Sequence, residues 1–269
     1  MIMYALDFEY DGQLLSDYGF IICDFNNSSG ADIITAGSQI VFNIVSRNQG
    51  KSYGLTSTQY DECISATFDI CKNPDLADDL RINDDEYRDL FRWLNRNEFL
   101  KCRFVNENED DRYYDVSFNI SKVKIGEILY GIELAMVSNR PFAYGEEKNI
   151  SLTFGASSLT SKFYDTSDEI GYIRPYMTIT CLEAGNLTIQ NTTYDCKTLI
   201  NNCSNGEVIY LDNENQIIKS SNESHDICHD FNYDFFKIGN TYSNRENNIT
   251  VNIPCKIDIR YSPIIKDSP

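Results

Sequence analysis

The sequence predicts a mainly β protein with one strong helix, and three observations support this fold class. Short runs rich in Val, Ile, Tyr and Phe recur along the chain, with turn-forming residues between them. The 18 Tyr and 15 Phe residues, against a single Trp, are an aromatic content that favours strands. A helix N-cap followed by apolar residues at helical spacing occurs convincingly at one place, residues 83–94.

A junction at residues 138–145 divides the chain of 269 residues. It follows the apolar run 128–137 and precedes a charged run, Glu146-Glu147-Lys148. Pro141 fixes its own φ and disfavours helix at the residue before it, so no helix can continue through the junction. We therefore predict two domains with separate cores. Their predicted bounds are 1–140 and 145–269.

The first half alternates between apolar strands and polar turns. Asp11-Gly12 is a hairpin-type turn, and residues 26–30 and 106–111 are loops by composition. The polar segment from Arg47 to Tyr60 predicts a protruding arm. The predicted strands are 4–10, 18–22, 40–45, 65–71, 100–105, 114–120 and 128–137.

The predicted helix covers residues 84–97. Asn83 is a good N-cap, and Glu86 three residues later completes a capping box. The predicted helix also carries one apolar stripe, at positions i, i+3, i+4 and i+7. Its members are Tyr87, Leu90, Phe91 and Leu94. Trp93 lies off this stripe.

The second half predicts an antiparallel β-sandwich. Its short apolar runs are separated by turn signals, and residues 208–218 form a hairpin with a four-residue loop. The last run, 249–261, predicts one long strand with Pro254 at a sheet edge or a bulge. No helix is predicted after Gly145. The other predicted strands are 150–154, 176–181, 186–190 and 235–238.

The charge balance argues against a protein that coats nucleic acid. With 23 Lys and Arg against 41 Asp and Glu, the net charge is −18, which repels phosphate. Charge of this size also keeps a protein soluble. An alternative interpretation is a surface past which DNA moves without being retained.

Nine cysteines are present, and none lies in a C-x-x-C pair. Cys102 and Cys255 fall in alternating apolar rows, which is typical of small buried residues. The pattern favours synthesis in a reducing cytoplasm over a disulfide framework. No basic-then-apolar leader and no run of 18 apolar residues occurs, so we expect neither export nor membrane spanning.

The two histidines are the only candidates for a metal site. His225 and His229 are four residues apart with Cys228 between them, and Cys203 or Asp230 could complete a zinc site. We interpret the segment as a loop between strands, where residues four apart do not share a face as they would on a helix. We therefore predict no metal site.

Catalytic signatures are missing from the sequence. It contains no G-x-S-x-G elbow, P-loop or dinucleotide-binding glycine pattern, and a Ser-His or Cys-His mechanism would have to use His225 or His229. Acidic clusters such as Asp84-Asp85-Glu86 are best interpreted as solvated faces. We predict no catalytic residue, no cofactor and a non-enzymatic function.

Four groups of residues together resemble the distal tail protein family of long-tailed, non-contractile bacteriophages. The resemblance spans nearly the whole chain in order. The groups are Phe8 to Gly12 followed by Asp17 to Phe20; Arg92-Trp93-Leu94 leading into the strand 100–105; the junction Asn139 to Tyr144; and the C-terminal runs 205–210, 235–240, 248–251 and 259–261.

This resemblance implies a structural role. The N-terminal domain, β-barrel-like with one packed helix, would form a homohexameric ring at the tail tip. That ring would join the major tail tube protein to the tail-associated lysin or hub protein and let DNA pass. The C-terminal domain would be a galectin-like sandwich projecting outward, with a receptor-binding protein as a further partner. The arm at 47–60 would contact a neighbouring subunit. Localisation would be the virion, at the tail tip.

Two other functions stay open at this point. The second half could be a lectin-like module that binds cell-surface glycan through exposed aromatic side chains. A glycan-cleaving enzyme on a β scaffold is also compatible, because paired carboxylates are positioned by the fold and not by sequence spacing.

Overall fold

In the computed structural model, the described residues are 7–25, 40–47, 52–60, 63–105, 112–155 and 159–266. The chain divides into two compact units, residues 1–145 with 265–269 and residues 146–264. All strand pairings in the described registers are antiparallel. The predicted mainly β fold class is therefore confirmed.

The first unit contains a seven-stranded sheet with the strand order β2-β1-β7-β8-β9-β6-β3. A 3-10 turn at Leu15–Tyr18 joins β2 directly to β3, the two edge strands. Five residues reach at most about 20 Å, so the sheet must curl until its edges approach each other, like a partly closed barrel. The elements are β1 (Asp7–Tyr10), β2 (Gln13–Leu14), β3 (Phe20–Cys23), β4 (Ile40–Arg47), β5 (Ser52–Tyr60), β6 (Ser65–Lys72), α1 (Asp84–Leu94), β7 (Leu100–Val105), β8 (Tyr114–Ile125), β9 (Ile128–Ser138) and β10 (Ala143–Tyr144).

The core of this unit is rich in aromatic rings. Phe8 on β1 lies 5.8 to 6.1 Å from the rings of Phe68, Trp93, Phe104 and Phe118. All five side chains are buried. Aromatic pairs stabilise a core beyond the burial of their apolar surface, so this cluster stabilises the packing of α1 against the sheet.

The helix starts where the sequence predicts and ends earlier. Asn83 accepts hydrogen bonds from the backbone N–H groups of residues 85 and 86, and Glu86 accepts one from the N–H of Asn83, which confirms the capping box. The predicted end at residue 97 is wrong, because α1 ends at Leu94. The side chain of Asn95 donates to the carbonyl of Phe118 on β8 and draws the chain off the helical path.

The predicted apolar stripe of the helix is wrong in one member, Phe91, and it does not include Trp93. Trp93 is buried together with Leu90 and Leu94, whereas Phe91 is 40% exposed. Residues 90, 93 and 94 also obey helical spacing, and the indole has the larger surface to bury. A hydrogen bond from its Nε1 to the carbonyl of Tyr10, at 3.1 Å, fixes this orientation.

The second unit is a sandwich of two main sheets with one core between them, ordered β11-β21-β14-β17-β18 and β12-β20-β15-β16. A small sheet of β13 and β19 accompanies them. The elements are β11 (Lys148–Phe154), β12 (Thr160–Tyr164), β13 (Gly171–Ile173), β14 (Tyr176–Cys181), β15 (Gly185–Asn191), β16 (Cys196–Cys203), β17 (Val208–Asp212), β18 (Ile217–Ser220), α2 (Ile227–Asp230), β19 (Ile238–Asn240), β20 (Glu246–Val251) and β21 (Cys255–Tyr261). The short strand β22 (Ile264–Ile265) follows at the boundary between the units.

The predicted long strand 249–261 is two strands in different sheets. The chain leaves β20 after Val251 and enters β21 at Cys255, and Pro254 lies in the break. Pro254, which has no N–H to donate, is therefore in neither strand. β21 lies between β11 and β14, inside its sheet and not at an edge. Both strands face one core, which is why the apolar alternation continues across the break.

Other predictions differ locally from the structure. The predicted strand 235–238 is largely irregular and precedes β19, because Phe235 and Phe236 fill the core without pairing. A single helical turn, α2, occurs after residue 145, where none was predicted. The hairpin-type turn at Asp11-Gly12 is confirmed by φ angles of 52° and 75°. The predicted loops at 26–30 and 106–111 and residues 4–6 of the first predicted strand lie outside the described residues.

Candidate functional site

The most prominent surface feature of the first unit is the hairpin of β4 and β5. Within the described residues these strands pair with each other and with no third strand. The register shifts between Asn43 and Ile44. Two hydrogen bonds stabilise this irregularity: the Asn43 side chain donates to Ser57 Oγ, and the Asn43 carbonyl accepts from Thr56 Oγ1. A bulge of this kind increases the twist of the ribbon.

The hairpin carries large apolar side chains that nothing in the described chain covers. Phe42 is 62% exposed, Ile44 is 58% exposed and its cross-strand neighbour Leu55 is 55% exposed. Ile40 and Val45 on the same ribbon are also exposed. A two-stranded hairpin is marginal in water without a covered face, and clustered exposed apolar residues mark interaction surfaces. The arrangement is chemically inert and suited to burial against another protein.

The base of the hairpin is held by the junction residues. The Tyr60 ring lies 6.2 Å from Phe142, and Phe142 lies 6.3 Å from Tyr144. Tyr144 in turn stacks on Tyr113 at 5.2 Å and pairs with it through two backbone hydrogen bonds. Residues 142–144 therefore link the hairpin to Tyr113, immediately before β8. They belong to the first unit.

The sequence identified this region only in part. The predicted arm, 47–60, is one strand of the hairpin, and the predicted strand at 40–45 is the other. Their pairing was missed because the sequence between them, residues 48–51, contains no Asn-Gly or Asp-Gly signal. The signal that could have found the surface is the run Ile40-Val41-Phe42 followed by Ile44-Val45 beside a segment with few apolar residues to cover it.

The two histidines differ in burial and have different partners. His225 is buried, with 2% of its side chain exposed, and its Nδ1 lies 2.5 Å from Oε1 of the fully buried Glu207. His229, in the one-turn helix α2, is 86% exposed and pairs with Asp226. Cys228 is exposed and Cys203 is buried. Among the described residues no group of three or more His, Cys, Asp or Glu side chains is placed to hold a metal ion.

Glu207 is fully satisfied by its surroundings. It accepts hydrogen bonds from the N–H of Ser204 at 2.7 Å, from Ser220 Oγ and from His225. Nε2 of His225 lies 3.3 Å from Asp230 without hydrogen-bond geometry. This pair therefore fastens the segment before α2 to β17 and β18. Sequence reasoning missed Glu207 because its position next to a glycine turn resembles an exposed loop.

The pKa values of this pair move in opposite directions. Burial opposes the charged imidazolium, but the hydrogen bond and charge of Glu207 outweigh it and raise the pKa of His225 above its ordinary value of 6.5. Burial likewise opposes the carboxylate, but hydrogen bonds from Ser220, His225 and the Ser204 N–H lower the pKa of Glu207 below 4.5. Both shifts favour the ion pair in the folded unit.

We expect the stability of the second unit to depend on pH through this pair. The His225 contribution is complete below pH 6.5 and is lost as the pH rises through its raised pKa. The Glu207 contribution is complete above pH 4.5 and is lost as the pH falls through its lowered pKa. Urea titrations of the full chain should therefore show the pair's contribution declining from slightly acid to alkaline pH.

Glu207→Gln is expected to weaken that trend. The hydrogen bond and the charge of Glu207 are then gone and burial opposes the charged imidazolium, while only the more distant charges, such as Asp230 at 3.3 Å from Nε2, still favour it. Asp226→Asn, at the exposed partner of His229, is the matched control and should keep the wild-type trend. An equal pH dependence in Glu207→Gln and wild type would contradict this assignment.

All nine cysteines are free thiols in the structure. Cys102 and Cys255 are buried, as the alternating apolar rows predict. Burial raises the pKa of the Cys255 thiol to about 12, so it is protonated and behaves as a small apolar side chain. None of the helices among the described residues has the length and apolarity needed to cross a membrane.

Comparison with known proteins places these features in a family. Residues 3–140 match a family model described as a phage tail protein N-terminal domain, and residues 142–261 match a phage tail C-terminal domain. The fold is similar to the solved structure of the Dit protein of phage SPP1, described as a paradigm of the hub adsorption apparatus in phages that infect Gram-positive bacteria. That match has a TM-score of 0.66 and 15% identity, and covers 95% of this chain and 98% of that chain. No curated protein matches the chain at a significant level.

Proposed function

Because the chain belongs to the phage tail protein family that matches residues 3–140 and 142–261, we propose that it is the distal tail protein of a long, non-contractile tail. The resemblance to this family that the sequence predicts is confirmed at the level of family and fold. The protein is thus a structural component of the phage tail, and its place is in the virion. Synthesis in the reducing host cytoplasm accords with its nine free thiols.

In this proposal six copies form a closed ring through the first unit. The observation that carries it is the exposed apolar hairpin of β4 and β5, which needs a covering surface that the described part of the chain does not supply. A heterologous contact of this kind closes into a ring when the rotation between copies fits the symmetry. In the ring, the hairpin contacts the neighbouring subunit. This is the contact that the resemblance implies for the predicted arm at 47–60.

The ring joins the major tail tube protein to the tail-associated lysin or hub protein and lets DNA pass. The net charge of −18 supports passage without retention, because an acidic surface repels phosphate. The second unit, a galectin-like sandwich in this proposal, projects outward, where it is accessible to a receptor-binding protein. Each of these tasks depends on binding and shape, so the proposed function is not enzymatic.

Native mass spectrometry of the purified full chain tests the ring. We expect a species near six times 30.9 kDa that separates into single chains on dilution. The experiment is best begun at high protein concentration, because ring closure depends on mass action. A chain that stays at 30.9 kDa across the whole concentration series would contradict the proposal.

A further inference from the structure

The outer face of the sheet β11-β21-β14-β17-β18 is a regular array of polar side chains. The strand registers align two neighbouring rows across β11, β21, β14 and β17. Each side chain in these rows carries a hydrogen-bonding group. The first row is Ser151, Asp258, Thr178 and Tyr210, and the second is Asn149, Arg260, Tyr176 and Asp212.

A depression of about 400 Å³ lies in this array, over the strands β11, β21 and β14. This volume is within the range of small-molecule sites, at their lower end. Its polar lining comes entirely from strands, which hold side chains more rigidly than loops do. The six polar lining residues are Asn149, Ser151, Tyr176, Thr178, Asp258 and Arg260.

Contacts within the lining hold its charged groups in place. Asp258 accepts hydrogen bonds from Ser151 Oγ and from Lys256 Nζ at 2.8 Å, and the bond from Lys256 keeps the pKa of that carboxyl below its usual range. The Arg260 guanidinium lies 4.7 Å from the centre of the Tyr176 ring. Its Nε is 3.8 Å from Glu147. The site therefore offers fixed donors and acceptors before any ligand arrives.

The chemistry of this lining selects among ligand classes. An anion would meet one guanidinium that already faces Glu147, with Asp258 beside it in the next row. A cation would find one carboxylate that is already paired with Lys256. An apolar ligand would leave the hydroxyl, amide and carboxylate groups unpaired. A neutral ligand with many hydroxyl groups can instead both donate to Asp258 and accept from Arg260 and Asn149.

We propose that this depression binds a neutral saccharide of one or two sugar units. Neighbouring strands are about 4.8 Å apart, a spacing comparable to the width of one sugar ring, so adjacent strands can meet hydroxyls on opposite sides of a ring. Asp258 accepts from one hydroxyl, and Arg260 and Asn149 donate to others, beside the Tyr176 side chain in the lining. This inference concerns the second unit and does not depend on ring formation.

A TROSY-detected NMR titration of the deuterated, ¹⁵N-labelled full chain tests the proposal with defined probes, because this detection tolerates the mass of an assembled ring. Lactose, maltose and N,N′-diacetylchitobiose are the neutral probes, and glucose 6-phosphate is the anionic one. We expect at least one neutral probe to shift the amide signals of Ser151, Thr178 and Asp258 in a saturable manner. No shift at these residues with any neutral probe would overturn the proposal, and so would shifts there with glucose 6-phosphate alone.

Variants separate this site from nonspecific binding. Thr178→Val and Arg260→Lys should each weaken binding about tenfold. The first removes a hydroxyl from the lining, and the second replaces the planar guanidinium by an ammonium with different donor geometry. Thr188→Val on β15, in the other sheet, is the matched control and should keep wild-type affinity. Wild-type affinity in both lining variants would overturn the proposal. The dispersed amide spectrum of each variant verifies its fold, and Arg260→Lys keeps the test decisive if Thr178→Val does not fold.

Discussion

Trp93→Ala is expected to destabilise the first unit by about 3–5 kcal/mol, the usual cost of truncating a buried Trp. The indole is 3% exposed, stacks on Tyr18 at 4.6 Å and lies parallel to Phe8 at 5.8 Å. Its removal leaves a cavity between α1 and the sheet and takes away the hydrogen bond to the carbonyl of Tyr10. Chemical denaturation followed by indole fluorescence in wild type, and by far-UV circular dichroism in the variant, measures the loss.

Phe91→Ala is the matched control for this experiment. Phe91 is an aromatic residue on the same helix, two positions earlier, and is 40% exposed. We expect its truncation to cost less than about 1 kcal/mol, as for other partly exposed positions. Equal losses in the two variants would contradict the assignment of Trp93 to the core, and a larger loss in Phe91→Ala would restore the stripe predicted from sequence.

The helix illustrates how far the sequence alone determines local structure. The N-terminal end was predictable because capping is a local interaction between Asn83 and Glu86, four residues of chain in all. The packed face was not, because residues 87, 90, 91 and 94 and residues 90, 93 and 94 both follow helical spacing. The choice between them depends on Tyr10 and Phe8, more than eighty residues away in sequence.

The second unit illustrates a different limit. Alternation of apolar residues reports which face of a strand is buried, but not which sheet the strand joins. The run 249–261 kept its alternation through Pro254 because β20 and β21 line the same core from opposite sheets. Strand β16 was missed because its inward residues, including Cys196, Thr198 and Cys203, are not strongly apolar types.

The polar sheet face could not be predicted from sequence patterns. It is defined by registers between strands, such as the alignment of Asp258 with Ser151 and Thr178, and registers depend on the whole sheet. The buried pair of Glu207 and His225 has the same origin, because eighteen residues separate its members. Spacing along the chain therefore carries little information about either feature.

Replacing Phe42 and Ile44 together by Asp is expected to abolish ring formation and leave a folded monomer of 30.9 kDa. Both side chains are more than half exposed in the single chain, so the substitutions remove no core packing. In the ring each Asp would bury an unpaired charge, at a cost of several kcal/mol per contact. Because six contacts close the ring, small losses at each contact multiply, and the effect on assembly should be large.

The control replaces two equally apolar, exposed residues of the second unit, Leu182 and Tyr242, by Asp. It changes the net charge by the same amount, so a general effect of charge on solubility or assembly would appear in both variants. Native mass and thermal unfolding are measured for both. We expect the control to keep the assembly state and the unfolding transition of wild type. The hairpin variant should still unfold cooperatively, at a temperature that does not depend on protein concentration. An assembled Phe42→Asp/Ile44→Asp variant would exclude this hairpin as the contact, even if wild type forms the ring, because a buried, unpaired carboxylate is incompatible with a stable interface.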